Sequence, residues 1–183
     1  MKKEYIIPIF VPHLGCPHQC SFCNQREISG QTKQVTAKDV KETIEFYLKN
    51  FKDDLKYVEV AFYGGSFTAI EEKKQIKKEN LLSSAYNLFI KKGINDTSFI
   101  RQGKVKSIRI STRPDYIDKL ILKRLKKYHV QTIELGVQSA NDYILARCQR
   151  GHTFEDVKKA SKLIRFYGFI LGHQMMIGLP EST

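Results

Sequence analysis

Three cysteines that lie close together in sequence are the side chains of this protein best suited to chemistry. Cys16, Cys20 and Cys23 are spaced C-x3-C-x2-C and follow an apolar run. Their thiolates can converge on one inorganic centre. Four thiolates would saturate a 4Fe-4S cluster, whereas three leave one iron open to a small ligand. The spacing therefore predicts an iron-sulfur centre with a reactive iron.

Two other uses of these cysteines stay open. A structural zinc could take the same thiols together with His13 or His18, although Cys3His sites usually divide their ligands into two separated pairs. A disulfide framework fits less well, because a chain with few cysteines and no secretory signal is typical of a reducing compartment. The fourth cysteine, Cys148, has no second ligand nearby in sequence. We expect it to be a small buried side chain.

Length and composition indicate one ordinary globular domain. The chain has 183 residues, of which 42% are hydrophobic and 27% charged, and a chain of this length buries about 70% of its unfolded surface. No apolar run approaches the roughly 20 residues that span a bilayer. We therefore expect a single domain over residues 1–183, located in the cytoplasm and not in a membrane.

The charge of the chain favours two kinds of surface. The formal net charge is +12, and lysine supplies most of the excess in runs such as 71–79, 91–92 and 158–159. Such a charge suits a polyanion such as RNA. The same runs are also typical of solvated helix faces. Composition alone leaves both interpretations open.

Short apolar segments alternate with segments of helical periodicity along the whole chain. The period-2 pattern predicts five strands, at residues 5–11, 57–63, 106–112, 131–138 and 169–177. The 3.6 period predicts helices at residues 36–51, 71–92, 115–128, 141–148 and 154–167. Thr36 to Asp39 resembles a capping box with Asp in place of Glu or Gln, which predicts a helix start there. This alternation predicts a parallel sheet with helical crossovers.

One face of the predicted sheet is polar. Strand two alternates Val58 and Val60 with Glu59, and strands three, four and in part five show the same alternation. A parallel strand buried on both faces would be apolar throughout. We therefore expect a curved sheet with helices outside and a polar lumen inside, an open relative of the (β/α)8 barrel whose chemistry lies at the carboxyl ends of the strands.

Four short motifs follow the predicted strands and would meet at that edge. They are Gly64 to Thr68, Ser111 to Pro114, Gln138 to Ser139 and Arg150 to His152. Paired glycines let a backbone approach the charged end of a ligand, and hydroxyls with a guanidinium can bind a ribose or a carboxylate. Each motif alone is also explained by a turn. His152 is either an acid-base group or a histidine at a helix start that bonds to backbone.

The cysteine loop, with Phe22 before its last cysteine, resembles the signature loop of the radical S-adenosylmethionine superfamily. The segments Leu135 to Ser139, Arg150 to His152 and Gln174 to Pro180 resemble the subgroup that contains the Elongator catalytic subunit and oxygen-independent coproporphyrinogen oxidase. The resemblance implies an α/β fold of the partial (β/α)6 barrel type. It also implies an enzyme that uses a 4Fe-4S cluster and S-adenosylmethionine to make a 5'-deoxyadenosyl radical.

The resemblance also implies a role for particular residues. Cys16, Cys20 and Cys23 would bind the cluster. The S-adenosylmethionine contacts would be Gly64 and Gly65 at the methionine amino end, Gln138 and Arg150 at the ribose and carboxylate, and Phe22 and Ile177 near the adenine. Ser111 and Gln174 would occupy the two remaining contact positions, where the coproporphyrinogen enzymes carry Glu and Asp.

Substrate and partners follow from the resemblance only in outline. It implies tRNA modification as in Elongator-like proteins, with a coproporphyrinogen-type or other small metabolite, or a non-catalytic haem or metal module, as alternatives. A reductant such as flavodoxin or ferredoxin would be the electron donor. Similar proteins continue with a sixth strand-helix unit, so we expect the chain to be a truncated core with strand five as an exposed parallel edge.

Overall fold

The computed structural model describes residues 4–11, 20–24, 35–51, 57–69, 81–82 and 107–182. Its strands are β1 (Glu4–Val11), β2 (Tyr57–Gly64), β3 (Ser107–Thr112), β4 (Val130–Gln138) and β5 (Ile170–Met175). Its helices are α1 (Ala37–Asn50), α2 (Lys119–Lys127), α3 (Asp142–Arg147) and α4 (Phe154–Phe166), with single 3-10 turns at Phe67–Ala69 and Pro114–Tyr116.

The five strands form one parallel sheet in the order β1-β2-β3-β4-β5. Each strand therefore pairs with its neighbours in sequence, as in a singly wound barrel. All carboxyl ends lie at one edge, from which the loops after β1, β2, β3 and β4 leave. The predicted α/β class and partial (β/α)6 barrel are confirmed, and β1 and β5 are the two edges of the described sheet.

The two faces of the sheet differ in chemistry, as predicted. The helix-covered face is apolar, and its strand residues pack with the buried faces of α1, α2 and α4 in one core. The buried core residues of these three helices are Val40, Ile44, Leu122, Leu125, Val157, Ala160 and Ile164. The opposite face, which we call the lumen face, carries Glu59 on β2, Arg109 on β3 and Glu134 on β4. On β1 it is apolar, with the half-exposed Ile6 and Phe10.

Two helices begin with reciprocal side-chain caps. Thr36 accepts a hydrogen bond from the Asp39 backbone, and the Asp39 carboxylate accepts one from the Thr36 backbone at 2.7 Å. Thr153 and Asp156 repeat the arrangement at α4. These capping boxes satisfy backbone N–H groups that the first helical turn leaves unpaired. The capping-box pattern expected at Thr36 is confirmed.

Two predicted boundaries were wrong. Helix α2 begins at Lys119 and not at Asp115, because Ile117 is extended and the Asp118 carboxylate accepts a hydrogen bond from the Ile121 backbone at 2.7 Å. Strand β5 is shorter than the predicted 169–177 segment. The predicted helix at 71–92 lies outside the described residues, apart from the helical and buried Leu81 and Leu82.

In the described parts of the chain, we find no helix with the length and apolar character needed to cross a membrane.

Candidate active site

The cysteine loop is anchored to the carboxyl end of α3. Cys16 lies outside the described residues, whereas Cys20 is buried and Cys23 is half-buried. The Cys23 N–H donates to the Cys20 carbonyl at 2.9 Å, and the Ser21 N–H donates to the Cys148 carbonyl at 3.2 Å. These bonds hold the two thiols in one tight turn against the protein. Cys148 itself is 1% exposed, as expected of a small buried side chain.

Phe22 packs beside the cysteines against a small apolar cluster of Ile144, Cys148 and Leu179. This cluster joins the loop to α3 and to the segment after β5. Ile177, the other residue expected near an adenine, is fully exposed. The structure thus places Phe22 next to the cysteines and leaves Ile177 open to solvent at the carboxyl end of β5.

A buried arginine connects the cysteine loop with β4. Arg150 is 8% exposed and donates through Nη1 to the Cys20 Sγ atom at 3.5 Å and through Nη2 to the Gly136 carbonyl at 2.7 Å. A Cβ atom at Gly136 would lie 2.6 Å from Nη2, so a side chain there would displace the guanidinium. Arg150 therefore links the cysteine loop to the carboxyl-terminal part of β4.

The paired glycines lie beside the start of the cysteine loop. Gly64 has φ +115°, and a Cβ atom there would lie 2.5 Å from the Val11 carbonyl oxygen. The Gly65 N–H donates to the same oxygen at 3.2 Å. Only glycine tolerates this conformation and this approach. The Gly64–Gly65 backbone is consequently held against the last residue of β1, where the cysteine loop leaves the sheet.

Buried hydroxyl groups attach this glycine loop to the end of β3. The Ser66 hydroxyl bonds the Thr112 hydroxyl at 2.9 Å and accepts from the Arg113 backbone at 3.3 Å. The Thr68 hydroxyl bonds the Thr112 hydroxyl and donates to the Tyr116 carbonyl at 2.6 Å. The motifs after strands two and three, which the sequence presents separately, are thus one hydrogen-bonded unit.

An ion network crosses the lumen face below these loops. Arg109 donates through Nε to Glu59 at 2.6 Å and through Nη1 to Glu134. Glu59 also accepts from the Ser107 hydroxyl at 2.7 Å and the Thr132 hydroxyl at 3.2 Å. Burial acts to lower the pKa of Arg109, but the hydrogen bonds to Glu134 and Glu59 outweigh it and raise that pKa. We call Glu59, Arg109 and Glu134 the lumen triad.

The structure brings Ser111 and Gln174 together on one carboxylate of this triad. Gln174 donates through Nε2 to the Ser111 hydroxyl at 3.0 Å and to Glu134 Oε2 at 2.7 Å, and the Ser111 hydroxyl lies 3.4 Å from the same oxygen. The two neutral residues therefore surround a carboxylate supplied by β4. Sequence reasoning missed the lumen triad, although its three members occupy inward positions on three neighbouring strands.

Gln138 ends β4 in a strained conformation. Its φ is +69°, its carbonyl accepts from the Met176 N–H at 3.0 Å, and the pairing of β4 with β5 is irregular between Gly136 and Gln138. The irregularity lies next to Gly136, whose carbonyl accepts the hydrogen bond from Arg150. The Gln138 side-chain nitrogen lies 3.2 Å from the position of a Cβ atom at Gly136. Gln138 and Arg150, which the sequence pairs as cofactor contacts, are therefore near neighbours in the fold.

His152 lies buried behind Arg150. Thr153, not His152, caps α4, and neither ring nitrogen of His152 makes a hydrogen bond of ordinary geometry within the described structure. Burial, reinforced by the Arg150 and Arg113 guanidinium groups, lowers the His152 pKa from 6.5 to about 4. The Asp115 carboxylate and the Val137 backbone oppose this shift without reversing it. The imidazole is therefore neutral at physiological pH.

Folding stability should fall as the pH is lowered from about 6.5 to about 4. The unfolded chain protonates His152 near the ordinary value of 6.5 and the folded protein only near 4, so the unfolded state binds more protons between these values and stability rises with pH. The expected loss at the acid end is about 2 to 3 kcal/mol. Urea unfolding between pH 4 and 7 measures it.

The matched comparison replaces two histidines in the same way. His152→Gln should flatten the pH dependence, whereas His173→Gln should preserve it, because His173 is exposed and bonds the Ser161 hydroxyl at 2.9 Å. Equal slopes in both variants would contradict the assignment of the acid sensitivity to His152.

The described residues fit part of a thiolate-bound metal centre. Within residues 20–24 and the other described ranges, no three His, Cys, Asp or Glu side chains converge as a metal site. Cys20 and Cys23 nevertheless share one turn, and a buried guanidinium faces the first of them. Two thiols in one turn are a donor set that suits a soft, sulfur-bound metal centre.

The chain matches the Radical SAM superfamily over residues 10–183 and therefore belongs to it. One relative is the tRNA uridine(34) acetyltransferase of Methanocaldococcus infernus, 26% identical over 200 residues that cover 97% of this chain and 38% of that protein. Another is Elongator complex protein 3 of Dictyostelium discoideum, 29% identical over 137 residues that cover 73% of this chain and 24% of that protein.

A solved structure shows the same fold. The archaeal Methanocaldococcus infernus Elp3 with an N-terminal deletion superposes with a TM-score of 0.69 at 20% identity, covering 98% of this chain and 39% of that one. The present chain thus spans less than two fifths of these relatives and corresponds to a radical SAM core with homologues named for tRNA modification.

Proposed function

We propose that this chain binds a 4Fe-4S cluster through Cys16, Cys20 and Cys23 and reductively cleaves S-adenosylmethionine. The observation that carries the proposal is Arg150, whose buried guanidinium ties Cys20 to the carboxyl end of β4. The thiol loop thus meets the carboxyl ends of the strands, the edge at which (β/α) barrels carry their chemistry. When bound, the cluster and S-adenosylmethionine would supply a 5'-deoxyadenosyl radical for hydrogen abstraction.

The residues of the chain hold and orient the cofactor in this proposal. Gly64 and Gly65 offer backbone groups to the methionine amino end, and the hydroxyl cluster around Thr112 keeps them in place. Gln138 and Arg150 bind the ribose and carboxylate region. Phe22 borders the adenine from the side of the cysteines.

The remaining proposed contacts differ in how the structure supports them. Ser111 and Gln174 act with Glu134, whose carboxylate they both contact. Ile177 would close over the adenine from its exposed position after β5. Ser111, Gln174 and the Glu134 carboxylate would bind hydroxyl groups of the cofactor. The apolar side chain of Ile177 would contact its planar base.

We propose tRNA as the substrate class, within a core that occupies residues 1–183. The support is the pair of relatives named for tRNA uridine acetylation and for the Elongator complex, together with the net charge of +12. A reductant such as flavodoxin or ferredoxin would supply the electron.

The experiment that tests the proposal is anaerobic reconstitution with iron and sulfide, followed by dithionite reduction with S-adenosylmethionine. We expect a brown protein that forms 5'-deoxyadenosine and methionine, and a sample reconstituted with zinc instead of iron that forms neither. A brown protein without product would favour a non-catalytic metal- or haem-binding module. A protein that takes up only zinc would contradict the proposal.

A further inference from the structure

Helices α2 and α4 carry an unbalanced set of exposed cations. Residues 119–127 and residues 157–167 contain no Asp or Glu. We define the basic ridge by the six exposed cations Lys123, Lys126, Lys127, Lys159, Lys162 and Arg165. None of the six forms an ion pair with a described residue, whereas Lys158 in the first turn of α4 pairs with Glu155 at 3.3 Å. In the described structure the ridge therefore carries six cations without an ion-paired carboxylate.

The two halves of the ridge meet at their carboxyl ends. Helix α2 leads into β4 and helix α4 leads into β5, and these strands are neighbours in the sheet. The Lys126 ammonium lies 5.9 Å from the centre of the Phe169 ring, just after α4. It also lies 3.7 Å from the position of a Cβ atom at Gly168. Lys126 at the end of α2 thus lies next to the segment that follows α4.

An exposed aromatic ring and a shallow depression border this surface. Phe166 is 84% exposed and stands edge-on to the Tyr167 ring at 5.7 Å. An open depression of about 420 Å³ lies at the Lys126 end of the ridge and is lined by residues that include Lys126, His129 and Phe169. An accessible ring among cations is the combination that binds a phosphate backbone together with an unpaired base.

Helix electrostatics explain only part of this charge. Cations in the last turn of a helix complement its negative end, which accounts for Lys127 and Arg165. They do not require Lys123, Lys159 and Lys162 in the turns before. Helix α1 on the same sheet shows the balanced alternative, with Lys38, Lys41 and Lys49 interspersed among Asp39, Glu42 and Glu45, and Lys38 pairs with Glu42 at 3.7 Å.

We infer that the basic ridge is a docking surface for a structured RNA, held away from the reacting centre. The choice of tRNA as the RNA rests on the proposed function. The carboxyl ends of α2 and α4 lie at the edge where β4 and β5 begin, opposite the edge of the cysteine loop. A strand of nine residues separates these edges by about 30 Å. The carboxyl-terminal part of the ridge, at Lys126, Lys127 and Arg165, therefore binds a part of the RNA remote from the nucleotide that enters the lumen.

The test compares two triple charge reversals of equal formal charge. The ridge variant combines Lys123→Glu, Lys162→Glu and Arg165→Glu. The α1 variant combines Lys38→Glu, Lys41→Glu and Lys49→Glu. Binding of a fluorescent unmodified tRNA transcript is measured by anisotropy at several KCl concentrations. The ridge variant should bind at least tenfold more weakly, with a salt slope reduced by about 0.7 to 0.9 per lost phosphate contact. The α1 variant should lose less than threefold.

A second variant separates stacking from charge. Phe166→Ala should weaken tRNA binding several-fold with an unchanged salt slope, because base stacking releases no counterions. Formation of 5'-deoxyadenosine without RNA should be the same in all these variants, so failure of the radical chemistry is distinguishable from failure of the docking surface. Equal losses in the ridge and α1 variants, or equally tight binding of polyglutamate or phosphatidylserine vesicles, would overturn the inference.

Discussion

Cys20→Ala should reduce formation of 5'-deoxyadenosine by the reconstituted protein below detection. Three thiolates are the minimum that holds a 4Fe-4S cluster with one open iron, so removal of one leaves the cluster without a stable attachment. Cys20 is also the thiol that the Arg150 guanidinium faces at 3.5 Å. Iron and sulfide content per chain, measured with product formation under dithionite and S-adenosylmethionine, checks the prediction.

The matched control is the same substitution at the other described buried cysteine. Cys148→Ala removes a thiol that is 1% exposed and lies in the small apolar cluster beneath Phe22. We expect the iron and sulfide content and most of the 5'-deoxyadenosine formation to remain. If Cys148→Ala lost the iron while Cys20→Ala kept it, the assignment of Cys20 as a ligand would be wrong.

The sequence was sufficient for the elements that follow from local periodicity and local hydrogen bonds. Alternation of Val58, Val60 and Phe62 with Glu59, Ala61 and Tyr63 identified both β2 and its lumen face. The Thr36 capping box located the start of α1 to the residue. These features depend on contacts between near neighbours in the chain, and the residue types alone report such contacts.

Features that depend on distant contacts could not be predicted in the same way. The start of α2 was misplaced because Asp115 acts as the ion-pair partner of Arg113, at 2.8 Å, and not as a cap. The lumen triad joins residues that are 25 and 50 positions apart. The contact between Arg150 and Cys20 spans 130 positions. The family resemblance pointed to Arg150 as a cofactor contact, but only the fold shows that it also holds the loop.

Arg109→Met should destabilise the protein by about 3 kcal/mol, the lower end of the cost of removing one partner from a buried ion pair, because the Arg109 side chain is 26% exposed. The substitution leaves the Glu59 carboxylate, whose side chain is 5% exposed, without a countercharge. It also removes the donor to Glu134, on which Ser111 and Gln174 converge. Urea unfolding near pH 7 measures the change, with an unchanged slope showing that the unfolded state is the same.

Two further variants test the cause of that loss. Arg147→Met removes an equally short but exposed pair with Glu181, at 2.9 Å with side chains 59% and 44% exposed, and should cost less than about 1 kcal/mol. Adding Glu59→Gln to Arg109→Met should restore part of the lost stability. The second substitution removes the unpaired charge and keeps a polar group for the neighbouring hydroxyls. A loss in Arg109→Met no larger than that in Arg147→Met would show that water already reaches the lumen triad. The polar lumen would then be filled with solvent and would not present a rigid surface to a bound cofactor.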